Sequence, residues 1–244
     1  EFDASADRLL RAAEGSPAFV ITAGHGQFVS TADEALRRRR NGAVVCQPGA
    51  GGPLLLTGED VAAAERFAEG AVVFQFACFG LGTPAVSGFS HWFEDIGEVV
   101  PARNAERDFT AALPRALLAH PHGPVAFVGH LDVACLHGFD DAENPLEVEL
   151  AGELWHARLA PFVDALDRLL TVQPVGLALA TMNKRYDLAN GVLANLHDKL
   201  RRGTAVESPE LLAKLAHTFI LRSDAQNYMV LGDPAARLRI PSHV

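Results

Sequence analysis

Three short apolar runs stand out along the chain. They read AFVITA at 18–23, AVVFQFA at 71–77 and PVAFVG at 124–129. Each lacks a polar alternate face, which is typical of a central strand buried on both sides of a sheet. The pattern therefore predicts three buried β-strands.

Helical patterns separate these runs. The segment 56–70 carries Thr57, a residue type that caps helix N-termini, then acidic residues, and ends at Gly70. The segment 104–120 is similar, and Pro114 predicts a kink within it. The alternation of strands and helices predicts right-handed crossovers and a parallel, doubly wound sheet.

After residue 145 the apolar residues recur at spacings of three and four, which predicts long helices. We expect helices over 146–170, 174–203 and 208–223, the last starting at a Ser-Pro pair. The tail 227–240 predicts a short strand, a turn at 232–234 and another short strand. Because no convincing linker or repeat interrupts the chain, we expect one domain over 1–244.

The charge balance argues against nucleic acid as a direct partner. The chain has 21 basic and 30 acidic residues and a formal net charge of −9, which does not favour a general phosphate-binding surface. The basic run at 37–40 is interpreted as the solvated last turn of a helix.

The cysteines and the apolar segments bear on the location of the protein. Cys46, Cys78 and Cys135 form no C-x-x-C pair, so neither a disulfide framework nor a structural zinc site is predicted. This favours a reducing, cytoplasmic setting. No segment approaches the roughly 20 apolar residues of a membrane span, and the start of the chain lacks a signal-peptide pattern.

Two reactive side chains directly follow two of the predicted strands. His25 follows the first and Cys78 the second, 53 residues later (78 − 25). Catalytic groups gather beyond the carboxyl ends of parallel strands, and a cysteine nucleophile needs an imidazole to take its proton. We therefore predict a Cys78–His25 dyad, with the amides of Gly26 and Cys78 as an oxyanion hole.

These strand ends resemble the active site of the clan CD cysteine peptidases, the group of the caspases, gingipains, legumain and separase. FACFG keeps Ala77, Cys78 and Gly80 of the caspase signature, and the histidine lies at the signature's spacing. GPLLLTGEDV, PVGLALATMNKRY and YMVLGDPAARL resemble segments of the bacterial CHAT and gingipain-like branch. The resemblance covers most of residues 18–240.

The resemblance implies an α/β fold: a caspase-like three-layer sandwich with a mostly parallel sheet flanked by helices, plus a helical C-terminal portion. It implies that His25 is the general acid/base and that Cys78 is the nucleophile that forms a thioester. The expected substrate is a protein or peptide, without a cofactor, a metal or a membrane. An activating partner or an upstream sensor domain is also expected, in a bacterial cytoplasm.

Two features depart from the family's pattern. Phe76 stands where caspases have glutamine and several relatives an acid, so it cannot recognise a substrate residue by charge. If a basic residue is preferred, Asp132 is the first candidate to bind it and Asp95 the second, although Asp132 fits a capping role equally well. Only about 17 residues precede the histidine strand, so we expect the C-terminal part of a longer or processed protein.

Other interpretations stay open. The same fold can serve as a pseudoprotease with a regulatory or scaffolding role. Cys135 also follows an apolar run beside a histidine, as an accessory or alternative nucleophile would. A metal hydrolase is a further alternative, although no H-E-x-x-H motif is present; its candidate ligands are His120, His122, His130, Asp132 and His137.

Overall fold

The computed structural model of the chain describes residues 4–47, 54–90, 103–135, 147–150, 153–156 and 159–239. Its backbone divides into two compact units. The sheet unit comprises Glu1–Ala134, Val172–Gly176 and Met229–Val244, and the helical unit comprises Cys135–Thr171 and Leu177–Tyr228. A single peptidase domain over 1–244 remains a prediction.

The described helices and strands follow one another along the chain. In order they are α1 (Ala6–Glu14), β1 (Phe19–Ala23), α2 (Glu34–Arg40), β2 (Val44–Val45), β3 (Leu55–Leu56), α3 (Gly58–Ala63), β4 (Val72–Phe76), β5 (Gly82–Thr83), β6 (Phe109–Thr110), α4 (Ala112–Ala119), β7 (Ala126–His130), β8 (Glu147–Leu150), β9 (Glu153–His156), α5 (Ala160–Leu170), α6 (Val175–Ala178), α7 (Ala180–Arg201), α8 (Pro209–Gln226) and β10 (Tyr228–Gly232). Within these residues, no helix is long and apolar enough to cross a membrane.

The principal sheet has four strands in the order β1-β4-β7-β10. β4 pairs in parallel with both β1 and β7, and all five residues of β4 and of β7 are buried. The three predicted strands and their parallel pairing are thus confirmed. The expected burial holds for β4 and β7 but not for β1, which lies at the end of the strand order and is only partly buried, with Ile21 51% exposed. The architecture is mixed α/β, with a mostly parallel sheet flanked by helices.

One face of this sheet carries a hydrophobic core cluster. Val73 of β4 and Phe127 of β7 lie in a cluster with α1, α3 and α4, which contribute Ala13, Val61 and Leu117. Full burial of a valine, leucine or phenylalanine side chain stabilises the fold by about 1.5–3 kcal/mol. The core therefore anchors the two strands at the centre of the sheet.

The helix predictions in the sheet unit are confirmed in part. Thr57 is the N-cap of α3 and forms a capping box with Asp60, but the helix ends at Ala63 rather than near residue 70. The predicted helix over 104–120 begins only at Ala112, so Pro114 lies in its first turn. Because backbone N–H groups there have no partner within the helix, proline is tolerated at that position.

The helical unit contains one clear error of prediction. The expected helix over 146–170 is helical only from Ala160, and β8 and β9 form an antiparallel hairpin before it. The sequence Glu-Val-Glu-Leu of β8 alternates charged and apolar residues, which is the period of a strand. The helix expected over 208–223 is confirmed, with Ser208 as the N-cap of α8. The single helix expected over 174–203 is interrupted at Leu179 and forms α6 and α7.

The C-terminal tail also differs from expectation. β10 ends at Gly232, which has a positive φ of 96°, and an αL-type conformation there agrees with the predicted turn. Residues 233–239 form no second strand.

Asn41 is a buried polar anchor between α2 and the strands. Its side chain is 1% exposed, accepts a hydrogen bond from the Val29 amide at 2.9 Å and donates to the Thr83 hydroxyl at 3.2 Å. Both partners lose their bond if the amide is removed. Such unsatisfied buried groups are costly.

We expect Asn41→Ala to lower the free energy of unfolding by about 1–3 kcal/mol, because it leaves these groups unsatisfied. Urea titration followed by circular dichroism measures the change. Asn195→Ala, an exposed position on α7, is the control and should shift stability by less than about 0.5 kcal/mol. Equal stability of the two variants would contradict the anchoring role.

Candidate active site

The pairing of β1 with β4 sets the positions of His25 and Cys78. Phe19 lies opposite Val72 and Ala23 opposite Phe76, in parallel and without a slip. The ladder continues past the named strands, because the Gly24 amide donates to the Phe76 carbonyl at 3.0 Å. His25 and Cys78 each follow two residues after the last paired residues, Ala23 and Phe76, so both lie just past the same edge of the sheet.

Gly26 fits closely against the peptide of Cys78. A Cβ atom built on Gly26 would lie 1.8 Å from the Cys78 carbonyl oxygen and 3.2 Å from its nitrogen. Real Cβ atoms do not approach so closely, so only glycine fits without a backbone shift. The two candidate oxyanion-hole residues are therefore in direct backbone proximity.

The other side of the 25–27 segment is held by β2. The Val45 amide donates to the His25 carbonyl at 2.9 Å, and the Gln27 amide donates to the Ala43 carbonyl at 2.8 Å. Successive residues of an extended strand direct their backbone groups to opposite sides. The Gly26 amide consequently faces away from β2, as an oxyanion donor beside Cys78 requires.

The chain turns sharply after Cys78. Phe79 has a φ of +57°, a left-handed conformation that is unfavourable for a residue with a side chain. Its amide donates to the Asp132 carbonyl at 2.7 Å, and its ring stacks on Phe28 at a centroid distance of 5.0 Å. Strained backbone of this kind clusters at functional sites.

The two side chains of the candidate dyad differ in exposure. His25 is exposed and Cys78 is partly buried. The Cys78 Sγ lies 3.6 Å from the Ala134 carbonyl oxygen, a contact in which the thiol donates its proton. A carbonyl oxygen repels a thiolate, so this contact belongs to the resting thiol.

Asp132, the candidate for recognising a basic substrate residue, is buried with 3% exposure. Its Oδ2 accepts hydrogen bonds from the Ser87 hydroxyl at 2.9 Å and from the Gly88 amide at 2.8 Å. Burial raises its pKa, against the lowering effects of these two bonds, the Val133 amide and the nearby His130. Oδ2 thus already has two partners within the protein, whereas the buried Oδ1 makes no hydrogen bond within the described residues.

The remaining predicted residues are distributed as follows. Phe76 ends β4 and is 8% exposed, while Asp95 lies outside the described residues. Cys135 is partly buried, and its amide donates to Asp224 at 3.3 Å. Substrate contacts by Phe76, Asp95 and Asp132 remain predictions.

The described part of the chain contains no arranged set of metal ligands. No group of three or more His, Cys, Asp or Glu side chains there is placed to hold an ion. His137 lies outside the described residues. Of the other histidines, His120 contacts the Ala64 carbonyl at 3.0 Å and accepts a bond from the His122 amide.

Sequence reasoning missed the residues that hold the site's loops. Gln75 is 1% exposed and donates to the Gly42 carbonyl at 3.1 Å. Gly42 has a φ of +78°, and a Cβ there would lie 2.2 Å from the Phe79 carbonyl oxygen. A glutamine inside an apolar strand was the one local signal, since a buried amide must have hydrogen-bond partners.

No protein-family model matches the chain, and no curated protein matches it in sequence. The relationship to the clan CD peptidases therefore remains a prediction from the motifs.

Gly26→Ala tests the close approach to Cys78. We expect a loss of about 1–3 kcal/mol in the free energy of unfolding, because the new methyl group forces the Cys78 peptide to move. Gly24→Ala is a matched control two residues away, where no atom lies within 4 Å of the added Cβ. Urea titration of both variants checks this; equal stabilities would contradict the packing.

Asp132→Asn tests the burial of a charge. Because the folded pKa of Asp132 is raised, its contribution to stability is fully present below the ordinary aspartate pKa of about 3.9 and is lost as pH rises through the folded value. We expect the unfolding free energy of the wild type, relative to Asp132→Asn, to fall as pH rises from about 3.5 to 7.

Urea titrations across that pH range measure this difference. The exposed Asp187 on α7 supplies the control variant Asp187→Asn. If the difference in the free energy of unfolding between wild type and Asp132→Asn stays constant with pH, the pKa of Asp132 is not raised in the folded protein.

Proposed function

We propose that this protein is a cysteine endopeptidase that acts through a Cys78–His25 dyad on protein substrates. The observation that supports the proposal is the parallel register of β1 and β4, which pairs Ala23 with Phe76 and so brings the residues that follow both strands to the same edge of the sheet. Adjacent strands lie about 4.8 Å apart, a separation that an imidazole at position 25 and a thiol at position 78 can bridge.

The chemistry proceeds in two steps. His25 takes the thiol proton of Cys78, and the thiolate attacks the carbonyl carbon of the scissile peptide bond. The oxyanion that forms accepts hydrogen bonds from the amides of Gly26 and Cys78. His25 then gives its proton to the leaving amine, the C–N bond breaks, and a thioester remains on Cys78.

Water completes the cycle. His25 accepts a proton from a water molecule, and the resulting hydroxide attacks the thioester carbonyl. The C–S bond breaks, the carboxylic acid product leaves, and the proton returns to the thiolate. The enzyme needs no cofactor for this sequence.

A pseudoprotease is the second candidate, and the contact of the Cys78 Sγ with the Ala134 carbonyl favours it. A thiol held in that contact is not poised for attack. In the peptidase proposal, an activating partner or a sensor domain releases it. Reactivity of the thiol distinguishes the two candidates.

The first test is cleavage of a mixed peptide library, analysed by mass spectrometry. We expect Cys78→Ala to abolish cleavage and His25→Ala to lower it by about 10²–10⁴-fold, the range for loss of a general acid/base. Cys46→Ala is the matched control, since that cysteine is buried, with 6% exposure. Cleavage that persists in Cys78→Ala would exclude Cys78 as the nucleophile.

Alkylation by iodoacetamide at neutral pH tests the dyad without a substrate. We expect Cys78 to react at least about tenfold faster in the wild type than in His25→Ala, because an imidazole that takes the thiol proton raises the thiolate fraction. Cys46 is the internal reference in both proteins, since burial raises the pKa of its thiol and its rate should not depend on His25. A Cys78 rate that His25→Ala leaves unchanged would contradict the dyad.

A further inference from the structure

Asp132 makes a backbone contact with the turn that follows Cys78. Its carbonyl accepts the Phe79 amide at 2.7 Å, and the Leu81 amide donates to the His130 carbonyl at 3.0 Å beside it. Asp132 itself has a φ of +63°. Two non-glycine residues in left-handed conformations, Phe79 and Asp132, are thus joined by one short hydrogen bond.

The side chain of Asp132 extends the contact to a second loop. Its Oδ2 is bonded by the Ser87 hydroxyl and the Gly88 amide, and the Ser87 oxygen also accepts the Phe89 amide at 3.1 Å. The Ser87–Gly88 backbone is therefore tied to Asp132. These bonds fix the rotamer and the backbone of Asp132 together.

A role in reading substrate charge would require an accessible carboxylate. Asp132 is 3% exposed, and both bonds to its Oδ2 come from the protein itself. Its Oδ1 makes no hydrogen bond within the described residues, but it is buried as well. The burial and the contacts of Asp132 are those of a residue that positions the Ser87–Gly88 loop and the Phe79 amide.

We propose that Asp132 is a positioning residue, whose carboxylate anchors the Ser87–Gly88 loop and whose carbonyl thereby holds the Phe79 amide and the turn that presents Cys78. The expected effect of Asp132 on cleavage rests on the proposed peptidase function. Its effect on the hydrogen bond of the Phe79 amide does not.

The physical reason is the strain at Asp132. A left-handed backbone is unfavourable for aspartate unless local hydrogen bonds compensate. When the carboxylate is removed, residue 132 is free to return to a relaxed conformation. Its carbonyl then turns away from the Phe79 amide, and the direction of the adjacent Cys78 amide and thiol is no longer fixed.

Three variants test the proposal. Asp132→Ala removes both side-chain acceptors, Asp132→Asn removes the charge but keeps an oxygen for Ser87 and Gly88, and Ser87→Ala removes one bond from the other end. Asp108→Ala is the matched control, because Asp108 likewise holds a loop amide, that of Ala85 at 2.7 Å. Its bond does not involve Phe79.

Hydrogen exchange of the Phe79 amide, measured by NMR in the intact chain, is the first readout. We expect exchange at least about tenfold faster in Asp132→Ala, a smaller increase in Ser87→Ala, and wild-type exchange in Asp132→Asn and Asp108→Ala. Unchanged exchange in both Asp132→Ala and Ser87→Ala would overturn the proposal.

Kinetics on cleaved library peptides provide the second readout. We expect Asp132→Ala to lower kcat with little change in KM or in residue preference, and Asp132→Asn to restore kcat. Loss of a preference for basic residues in Asp132→Asn, with normal Phe79 exchange, would overturn the proposal in favour of charge recognition. Failure of the peptidase proposal is separate, since retained cleavage in Cys78→Ala would indicate it without any change in the exchange of the Phe79 amide.

Discussion

The parallel pairing of β1 with β4 is the constraint on which the rest of the site depends. Phe19 to Ala23 lie opposite Val72 to Phe76 without a bulge, so both strands end at the same level. β4 is buried along its whole length, which prevents it from sliding relative to the core. A shift of one residue would reverse the faces of every side chain on the strand.

Close backbone packing extends this constraint beyond the strands. Gly26 lies against the Cys78 peptide, and Gly42 lies against the Phe79 carbonyl. Gln75 ties the second of these glycines to β4 from within the core. The segments that follow β1 and precede β2 are thereby fixed around the turn after Cys78, and two glycines are needed because a side chain would separate the backbones.

The sequence was most informative where a local pattern determines the structure. Continuous apolar runs identified β1, β4 and β7, and the parallel arrangement then placed His25 and Cys78 at one edge. Local patterns were less informative where the same residues fit both a helical and a strand period. Over a long window the residues of β8 and β9 match the helical spacing of three and four. The alternation of charged and apolar residues from Glu147 to Leu150 is the strand period, and these residues form a strand.

Long-range contacts could not be predicted at all. Nothing near Asp132 in the chain indicates that Ser87 and Gly88 will bind its carboxylate, because those residues precede it by more than 40 positions. A strand-end aspartate in a predicted peptidase suggests charge recognition on chemistry alone. Its burial, and the positive φ that the fold imposes on it, arise only from tertiary packing.

The same short segment both builds the site and holds its thiol. Asp132 receives the Phe79 amide, and Ala134, two residues later, faces the Cys78 sulfur. Since one stretch of backbone makes both contacts, a backbone displacement at Ala134 that frees the thiol would also strain the turn that orients it. In the proposed peptidase, the bonds from Ser87 and Gly88 to Asp132 keep that turn in place while the thiol leaves the Ala134 carbonyl.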